Sequence, residues 1–137
     1  MSEDNLRRIL AHPLVMVGTD AHLEVFGRVA THPRNYGTYP RALGKYVREE
    51  GIMPLGEAIA KMTSMPAGRF GLDDRGWLRA GYAADVVAFD PDTVIDNATF
   101  TDAHQYPTGI PYVIVNGQLA VDDGATTAGH HGRVLRG

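Results

Sequence analysis

Apolar positions near the start of the chain recur at helical spacing. Leu6, Ile9 and Leu10 stand at i, i+3 and i+4 after Ser2, whose hydroxyl can cap a helix that begins there. Pro13 cannot continue such a helix, because its ring removes a backbone N–H and clashes with the preceding turn. The pattern therefore predicts a short amphipathic helix that ends at Pro13.

The next apolar positions are continuous rather than periodic. Leu14–Val17 is a run of four apolar residues that stops at Gly18-Thr19-Asp20, where we predict a loop. Such a run is typical of a strand buried on both faces, as in a parallel sheet, although a buried helical segment can have the same pattern.

A Gly- and Pro-rich loop follows, and helical spacing then returns. We predict a helix from Pro40 to Gly51, because proline is favoured at the first helical position and glycine just beyond the last. A further helix is predicted to begin at Pro54, with an apolar face made by Leu55, Ile59 and Met62.

The second half of the chain has the composition of strands. Asp85–Phe89 is rich in β-formers, and two more such runs, Tyr112–Val115 and Gln118–Val121, flank Asn116-Gly117. Asn-Gly is the residue pair that a type I′ turn favours, because both central residues need a positive φ. A β-hairpin around Asn116-Gly117 is therefore predicted. Trp77 and Phe89 are expected to lie in the core.

Composition excludes several classes of protein. The 137 residues contain no cysteine, so disulfide scaffolds and thiolate metal sites are excluded within this chain. A net charge of −3 offers no broad basic face for nucleic acid, and no apolar run approaches the roughly 18 residues of a membrane span. The acidic N-terminus has no signal-peptide core, so a soluble cytoplasmic protein is expected.

The charge changes sign along the chain. Residues 1–70 carry nine basic and seven acidic residues, whereas residues 71–137 carry four basic and nine acidic residues. We therefore predict two parts, a largely helical part over 1–70 and a strand-rich part over 71–137.

Asp20 is the first candidate for chemistry. An acidic residue directly after a buried parallel strand lies where α/β barrels place their active sites, and there it can act as a general base or contact a metal. An exposed turn aspartate would have the same local sequence. In the segment Thr31–Arg41, which we predict to be a loop, Arg34 and Arg41 can each bind a carboxylate through two parallel hydrogen bonds, or can simply be solvated.

Longer segments are more informative than single residues. Their sequences resemble those of one family, the N-acyl-D-amino-acid deacylases (D-aminoacylases) of the amidohydrolase superfamily. The similarity is to the C-terminal part of these proteins and runs in order along nearly the whole chain. The segments that carry it are Ser2–Asp20, His32–Glu50, Lys61–Asp90, Asp96–Gly117 and Gly132–Arg136.

The resemblance implies an α/β fold, the C-terminal fragment of a metal-dependent (β/α)8 barrel followed by part of a small β-sandwich. It implies that residues 1–70 hold the last barrel strand with the helices after it, and that residues 71–137 hold the C-terminal share of the sandwich. By the same comparison, Asp20 matches the catalytic aspartate, which can also contact the second, weaker metal. Arg34 matches the arginine that binds the substrate's α-carboxylate.

The resemblance also implies zinc in the complete enzyme, held by an early His-x-His, a cysteine and two further histidines. This chain has no cysteine and no His-x-His, so we expect it to bind no catalytic zinc and to be inactive alone. It is then a truncated reading frame, a fragment, or one subunit of a split enzyme completed by an N-terminal barrel chain. Unpaired strand edges suggest a homo-oligomer.

Two alternatives to a deacylase of N-acyl-D-amino acids stay open at this point. The first is a related amidohydrolase that acts on dipeptides or cyclic amides, and the second is a non-catalytic binding or assembly module.

Overall fold

The fold was determined as a computed structural model that describes residues 2–23, 25–28 and 31–135. Helices occupy the first half of the chain, at Glu3–Leu10 (α1), Arg34–Arg41 (α2), Leu55–Met62 (α3) and Ser64–Phe70 (α4). The helix α2 continues without a break into a π-helical segment, Ala42–Glu49. No helix in the described part of the chain is both long enough and apolar enough to cross a membrane.

The second half of the described chain holds one antiparallel sheet. Its strands are Val86–Ala88 (β1), Tyr112–Val115 (β2), Gln118–Asp122 (β3) and Ala125–Thr126 (β4), and they lie in sequence order. Each strand therefore pairs with the next one along the chain, with one extra residue, Ala120 of β3, opposite the step from Val113 to Ile114 in β2. This meander is a single sheet.

The predicted hairpin is confirmed in detail. Asn116 and Gly117 have φ values of 48° and 81°, as a type I′ turn requires, and Val115 is in register with Gln118 across it. A second turn of this kind joins β3 to β4 at Asp123-Gly124, with φ values of 46° and 79°. Our sequence prediction did not include β4, although Asp-Gly is a hairpin signal of the same type.

Two of the predicted helices are confirmed, although one residue of each predicted apolar face lies exposed, Ile9 in α1 and Ile59 in α3. Ser2 caps α1 by accepting a 3.3 Å hydrogen bond from the backbone N–H of Asn5. In α3, which begins after Pro54 as expected, Ile59 is 37% exposed, while Ala58 and Lys61 are fully buried. Ala58 lies in the core, and Leu55 and Met62 of the predicted face pack against it.

The core itself is small and lies between the helices and one segment of the second half. Its buried members are Leu10, Leu43, Tyr46, Met53, Ala58 and Val94. Phe89 packs against this cluster, as expected, whereas Trp77 is 58% exposed and the expectation that it is a core residue was wrong. The guanidinium of Arg79 lies 5.9 Å from the Trp77 ring, a cation–π arrangement that leaves the ring at the surface.

The prediction of a buried strand at Leu14–Val17 was wrong for this chain. The run belongs to no strand of the described residues, and Leu14 is 80% exposed. A parallel strand needs neighbouring strands for its backbone groups and apolar cover on both faces. Here the backbone N–H of Val17 donates a 3.1 Å hydrogen bond to the carbonyl of Lys61, in α3. The run is therefore held by a helix and not by a sheet.

The prediction of a loop up to Pro40 was also wrong, because the helix begins six residues earlier, at Arg34. Pro40 lies inside it, in the last turn of α2, just before the π-helical segment. Gly51 ends the helix as expected, with a φ of 61°. Helical residues before a proline are disfavoured locally, so the tertiary packing of α2 decides where this helix starts.

Candidate active site

Asp20 lies just beyond the run that leads out of α1, in a left-handed backbone conformation with a φ of 50°. Its side chain is 81% exposed. A non-glycine residue with positive φ is uncommon, and aspartate and asparagine are among the residues that tolerate it best. This conformation turns the Asp20 carboxylate toward the start of α2.

Arg34 is the first residue of α2 and meets that carboxylate. Its Nη2 atom lies 2.9 Å from Oδ2 of Asp20, and its side chain is 36% exposed. The Nε atom of Arg34 is buried, and no group in the described ranges accepts a hydrogen bond from it. The structure thus brings together the two residues that the sequence singled out, although 13 residues separate them along the chain.

Thr19, the residue before Asp20, links the segment that carries Asp20 to the first turn of α2. Its hydroxyl lies 3.1 Å from the main-chain carbonyl of Arg34 and 2.9 Å from the hydroxyl of Thr38. The hydroxyl of Thr38 also donates to the carbonyl of Arg34, at 2.9 Å. Our sequence analysis did not identify Thr19 as part of the site. The signal available was its position between the apolar run and the candidate aspartate.

A groove of about 590 Å³ opens beside Arg34. Apolar side chains of α1 and of the following run line it, together with Phe100. Phe100 is 82% exposed, and its ring makes an edge-to-face contact with His32 at 5.0 Å between centroids. Asp20 does not line the groove but lies next to it, through its ion pair with Arg34.

Arg41, the other arginine considered for carboxylate binding, also lines the groove but has a partner of its own. Its Nη1 atom donates a 3.0 Å hydrogen bond to Oδ2 of Asp96, whose side chain is only 5% exposed. A buried carboxylate needs such a charged partner, so Arg41 is committed to fixing α2 against the segment around Asp96.

Glu3, which lines the groove, belongs to a network of charged residues. Arg7 donates to Glu50 from Nε at 2.7 Å and from Nη2 at 3.1 Å, and Lys45 donates to Glu3 at 2.9 Å. The hydrogen bond from Arg7 holds the pKa of the Glu50 carboxyl below its ordinary value, and the hydrogen bond from Lys45 does the same to the pKa of Glu3. These contacts join α1 to the π-helical segment.

The loop between Asp20 and Arg34 is anchored by an aromatic cluster that sequence reasoning missed. Phe26 stacks on Tyr106 at 4.9 Å between centroids, and Tyr36 and His104 pack edge-on to Phe26. A 2.8 Å hydrogen bond joins the Tyr36 hydroxyl to Nδ1 of His104. The density of aromatic residues in Thr31–Arg41 was the only sequence signal for this cluster.

The described residues do not fit a zinc centre by themselves. A catalytic zinc site takes about three protein ligands, and residues 2–23, 25–28 and 31–135 hold no group of three or more His, Cys, Asp or Glu that could bind a metal ion. Asp20 brings a single carboxylate, already paired with Arg34. Any catalytic metal would need ligands from outside this part of the chain.

Comparison with known proteins adds to this geometry. The sequence model of the Amidohydrolase family matches residues 2–121. The chain is 47% identical over 137 residues to a D-aminoacylase of Alcaligenes xylosoxydans xylosoxydans, in an alignment covering 98% of the chain and 27% of that protein. It is 46% identical over 136 residues to an N-acyl-D-glutamate deacylase of the same organism, covering 99% of the chain and 27% of that protein.

Solved structures agree with the sequence comparison. A structure that addresses the binuclear metal centre of D-aminoacylase superposes with a TM-score of 0.90 at 44% identity, over 98% of this chain and 28% of that one. An N-acyl-D-glutamate deacylase from Bordetella bronchiseptica, bound to zinc and a phosphonate mimic of the tetrahedral intermediate, superposes with a TM-score of 0.81 at 44% identity, over 92% of this chain and 27% of that one. The chain spans about a quarter of the length of these relatives.

Proposed function

The chain belongs to the amidohydrolase family, and from that premise we propose that it supplies the C-terminal part of a zinc-dependent N-acyl-D-amino-acid deacylase. Such an enzyme hydrolyses the amide bond of an N-acyl-D-amino acid to give a carboxylate and a D-amino acid. The observation that carries the proposal is the 2.9 Å contact between Asp20 and Arg34 at the edge of the groove. It puts a proton acceptor beside a carboxylate-binding group, as this reaction needs.

The proposed architecture has two parts, 1–70 and 71–137. In it, the run Leu14–Val17 becomes the last strand of a (β/α)8 barrel once neighbouring strands are present, and the four-stranded sheet is one share of a small β-sandwich. One feature supports the division into two parts, and another supports the barrel strand. The helix α4 ends at Phe70, and Gly71 follows it with a φ of 68° before the strand-rich part begins. The exposure of Leu14 is what an uncovered barrel strand would have.

Asp20 is the proposed catalytic residue. A water molecule that attacks the amide carbonyl must lose a proton, and the leaving nitrogen must gain one. The Asp20 carboxylate takes the first proton and, as the carboxylic acid, returns it to the departing amine. Its high exposure supports this role in the chain described, because a base must be reached by water.

Arg34 is the proposed substrate-binding residue. A planar guanidinium can hold a carboxylate by two parallel hydrogen bonds, which fixes the direction of the amino acid as well as its position. Its place at the end of the groove lets the rest of the substrate lie along the apolar lining. Fixing the amide next to Asp20 in this way removes much of the entropic barrier.

Zinc enters the proposal only through the complete enzyme. The family resemblance and the zinc-bound deacylase support it, while the described residues of this chain do not form a zinc site. When bound by ligands from elsewhere, zinc would polarise the amide carbonyl and acidify water. Asp20 would then contact at most the second metal. We further propose that this chain alone binds no catalytic zinc and has no deacylase activity.

The proposed partners follow from the same premise. An N-acyl-D-amino acid is the substrate of the complete enzyme, and a complementing N-terminal barrel chain would bring the missing ligands. Self-association is also proposed, because β1 at the sheet edge exposes Val87 (52%) and can pair with a second copy. Light scattering at micromolar concentration tests this, and a monomer would contradict it.

The alternatives make different demands on Arg34. A cyclic-amide hydrolase of the same architecture would not depend on a free α-carboxylate next to the reacting amide. A dipeptidase would depend on one, but it would also need a partner for the free amino group of its substrate. A binding or assembly module would not depend on Asp20 at all. The 2.9 Å pairing of these two side chains favours the deacylase.

Co-expression with an N-terminal barrel chain that carries the His-x-His and cysteine ligands tests the proposal. We expect hydrolysis of N-acetyl-D-leucine by the complex and none by this chain alone. Asp20→Asn should lower kcat by about 10²- to 10⁴-fold, as loss of a general base does. Arg34→Gln should raise KM and remove the preference for the acid over N-acetyl-D-leucinamide. The matched control, Arg69→Gln, changes an exposed arginine of α4 and should leave both constants unchanged.

Activity from this chain alone would overturn the inactive-fragment prediction. A complex in which Asp20→Asn turns over normally would overturn the role of Asp20.

A further inference from the structure

On one edge of the Arg34 guanidinium, only one of the two nitrogen atoms has a partner. The N–H bonds of Nε and Nη2 point the same way and form the edge that grips a carboxylate with two parallel hydrogen bonds. In this chain Nη2 is 2.9 Å from the Asp20 carboxylate, while the buried Nε has no hydrogen-bond partner within the described ranges. A buried N–H without a partner costs free energy, so this edge favours an oxygen ligand at Nε.

The Asp20 side of the pair is weakly held. The Asp20 carboxylate is 81% exposed, so water can replace its contact with Arg34 at little cost. By contrast, the backbone around Arg34 is fixed, because the hydroxyls of Thr19 and Thr38 both donate to its carbonyl. The main chain at Arg34 is therefore held in place while its partly exposed side chain can turn to present Nε to the groove, and the exposed Asp20 carboxylate is the exchangeable partner.

We propose that Asp20 is an internal competitor for the carboxylate-binding edge of Arg34 and that a substrate carboxylate displaces it. The incoming carboxylate uses both Nε and Nη2, whereas Asp20 uses Nη2 alone. Displacement breaks the Asp20–Arg34 ion pair, forms the Arg34–ligand ion pair and leaves the Asp20 carboxylate free to accept a proton. This inference rests on the proposed function, since it assigns a regulation to the same two residues.

The groove indicates what kind of carboxylate fits. Apolar side chains, among them Ile9, Met16 and Phe100, line the cavity into which the Arg34 side chain faces. A carboxylate joined to an apolar group can place its charge on Arg34 and its apolar part along this lining. A ligand of the same shape without the carboxylate gains the apolar contacts but cannot displace Asp20.

The consequence is that the general base, Asp20, responds to the type of ligand that is bound. A ligand that brings its own carboxylate occupies Nη2 and keeps Asp20 from pairing there again, so the proton acceptor stays available while an acid of the right class is bound. An amide of the same shape leaves Asp20 paired with Arg34.

The test uses the 137-residue chain and the side-chain Nε–H resonance of Arg34, assigned by its loss in Arg34→Gln. Titration with N-acetyl-D-leucine should move this resonance to saturation, and N-acetyl-D-leucinamide should not. Asp20→Asn keeps a residue that tolerates positive φ and removes the competing charge. It should tighten binding of the acid by roughly two- to fivefold, the factor that corresponds to an exposed ion pair. Asp73→Asn makes the same charge change at another exposed aspartate and should bind like the unaltered chain.

Equal or weaker binding by Asp20→Asn would overturn the inference, as would a chain in which the acid never saturates the Arg34 signal. Both outcomes differ from failure of the proposed function, which is a loss of hydrolysis in the complemented enzyme. Competition can fail while hydrolysis remains, and it can hold in a complex that hydrolyses nothing.

Discussion

The ammonium group of Lys61 donates a 2.6 Å hydrogen bond to the main-chain carbonyl of Leu10, the last residue of α1. It donates a second, 2.7 Å bond to the carbonyl of His12 and lies 3.1 Å from the carboxylate of Glu57. This side chain is fully buried, and the carbonyl of the same residue accepts from Val17. One residue of α3 therefore holds both ends of the segment that leads to Asp20.

We expect Lys61→Met to destabilise the chain by about 1–3 kcal/mol, because the carbonyls of Leu10 and His12 would lose their shared donor in a buried place. Thermal or urea denaturation followed by circular dichroism measures this. The control is Lys45→Met, which removes a more exposed ammonium and should cost less. Equal effects would mean that the burial of Lys61 adds nothing to its contribution.

Gly44 allows a close approach between the π-helical segment and the second half of the chain. A Cβ added there would overlap the main-chain carbonyl of Val94 and crowd the Ile95 side chain. Because a backbone atom cannot swing aside, we expect Gly44→Ala to cost about 1–3 kcal/mol in unfolding free energy. Gly56→Ala, in α3, meets nothing within 4 Å and should be neutral or slightly stabilising. A stable Gly44→Ala variant would contradict this packing.

The Arg7–Glu50 contact predicts a dependence of stability on pH. Since the pKa of Glu50 is lower in the folded chain than in the unfolded chain, the unfolded state binds more protons between the two pKa values. The stability from this pair is therefore complete above the ordinary glutamate pKa of about 4.3 and is lost as the pH falls through the lowered folded pKa.

Glu50→Gln should lower the melting temperature at pH 7, and the difference from the unaltered chain should shrink as the pH is lowered below about 4. Melting curves between pH 7 and pH 3 measure this. Glu49→Gln is a matched control, because Glu49 is 54% exposed and pairs only with the adjacent Arg48 within the described residues. A difference that stays constant with pH would rule out the ionic contribution.

Thr19 is expected to protect the first turn of α2 from local unfolding. Thr19→Val removes the hydroxyl that contacts the Arg34 carbonyl and the Thr38 hydroxyl, whereas Thr19→Ser keeps it. A neutral hydrogen bond contributes about 1 kcal/mol, so hydrogen–deuterium exchange around Arg34 should be about fivefold faster in Thr19→Val and unchanged in Thr19→Ser. Equal exchange in both variants would show that the methyl group, and not the hydroxyl, fastens the site.

The family relationship and several elements could be predicted because they depend on short-range patterns. The Asn116-Gly117 turn, the Ser2 cap and the Pro54 start each depend on the φ preference or hydrogen bonding of one or two residues. Asp20 and Arg34 were identified as single residues, and their roles stay predictions. Their 2.9 Å contact was not foreseen, because 13 residues separate them and no local pattern says how such a segment folds back.

The sequence by itself therefore determined local features, namely which residues cap helices, which form turns and which runs favour strands. It also showed which family the segments resemble. Only the tertiary structure decided that α2 begins at Arg34, that Lys61 is buried, and that Leu14–Val17 lies against a helix. The physical reason is that burial and ion pairing depend on which distant groups meet. An apolar run becomes a strand when other strands offer their backbone groups, and here the nearest acceptor for Val17 is a carbonyl of α3.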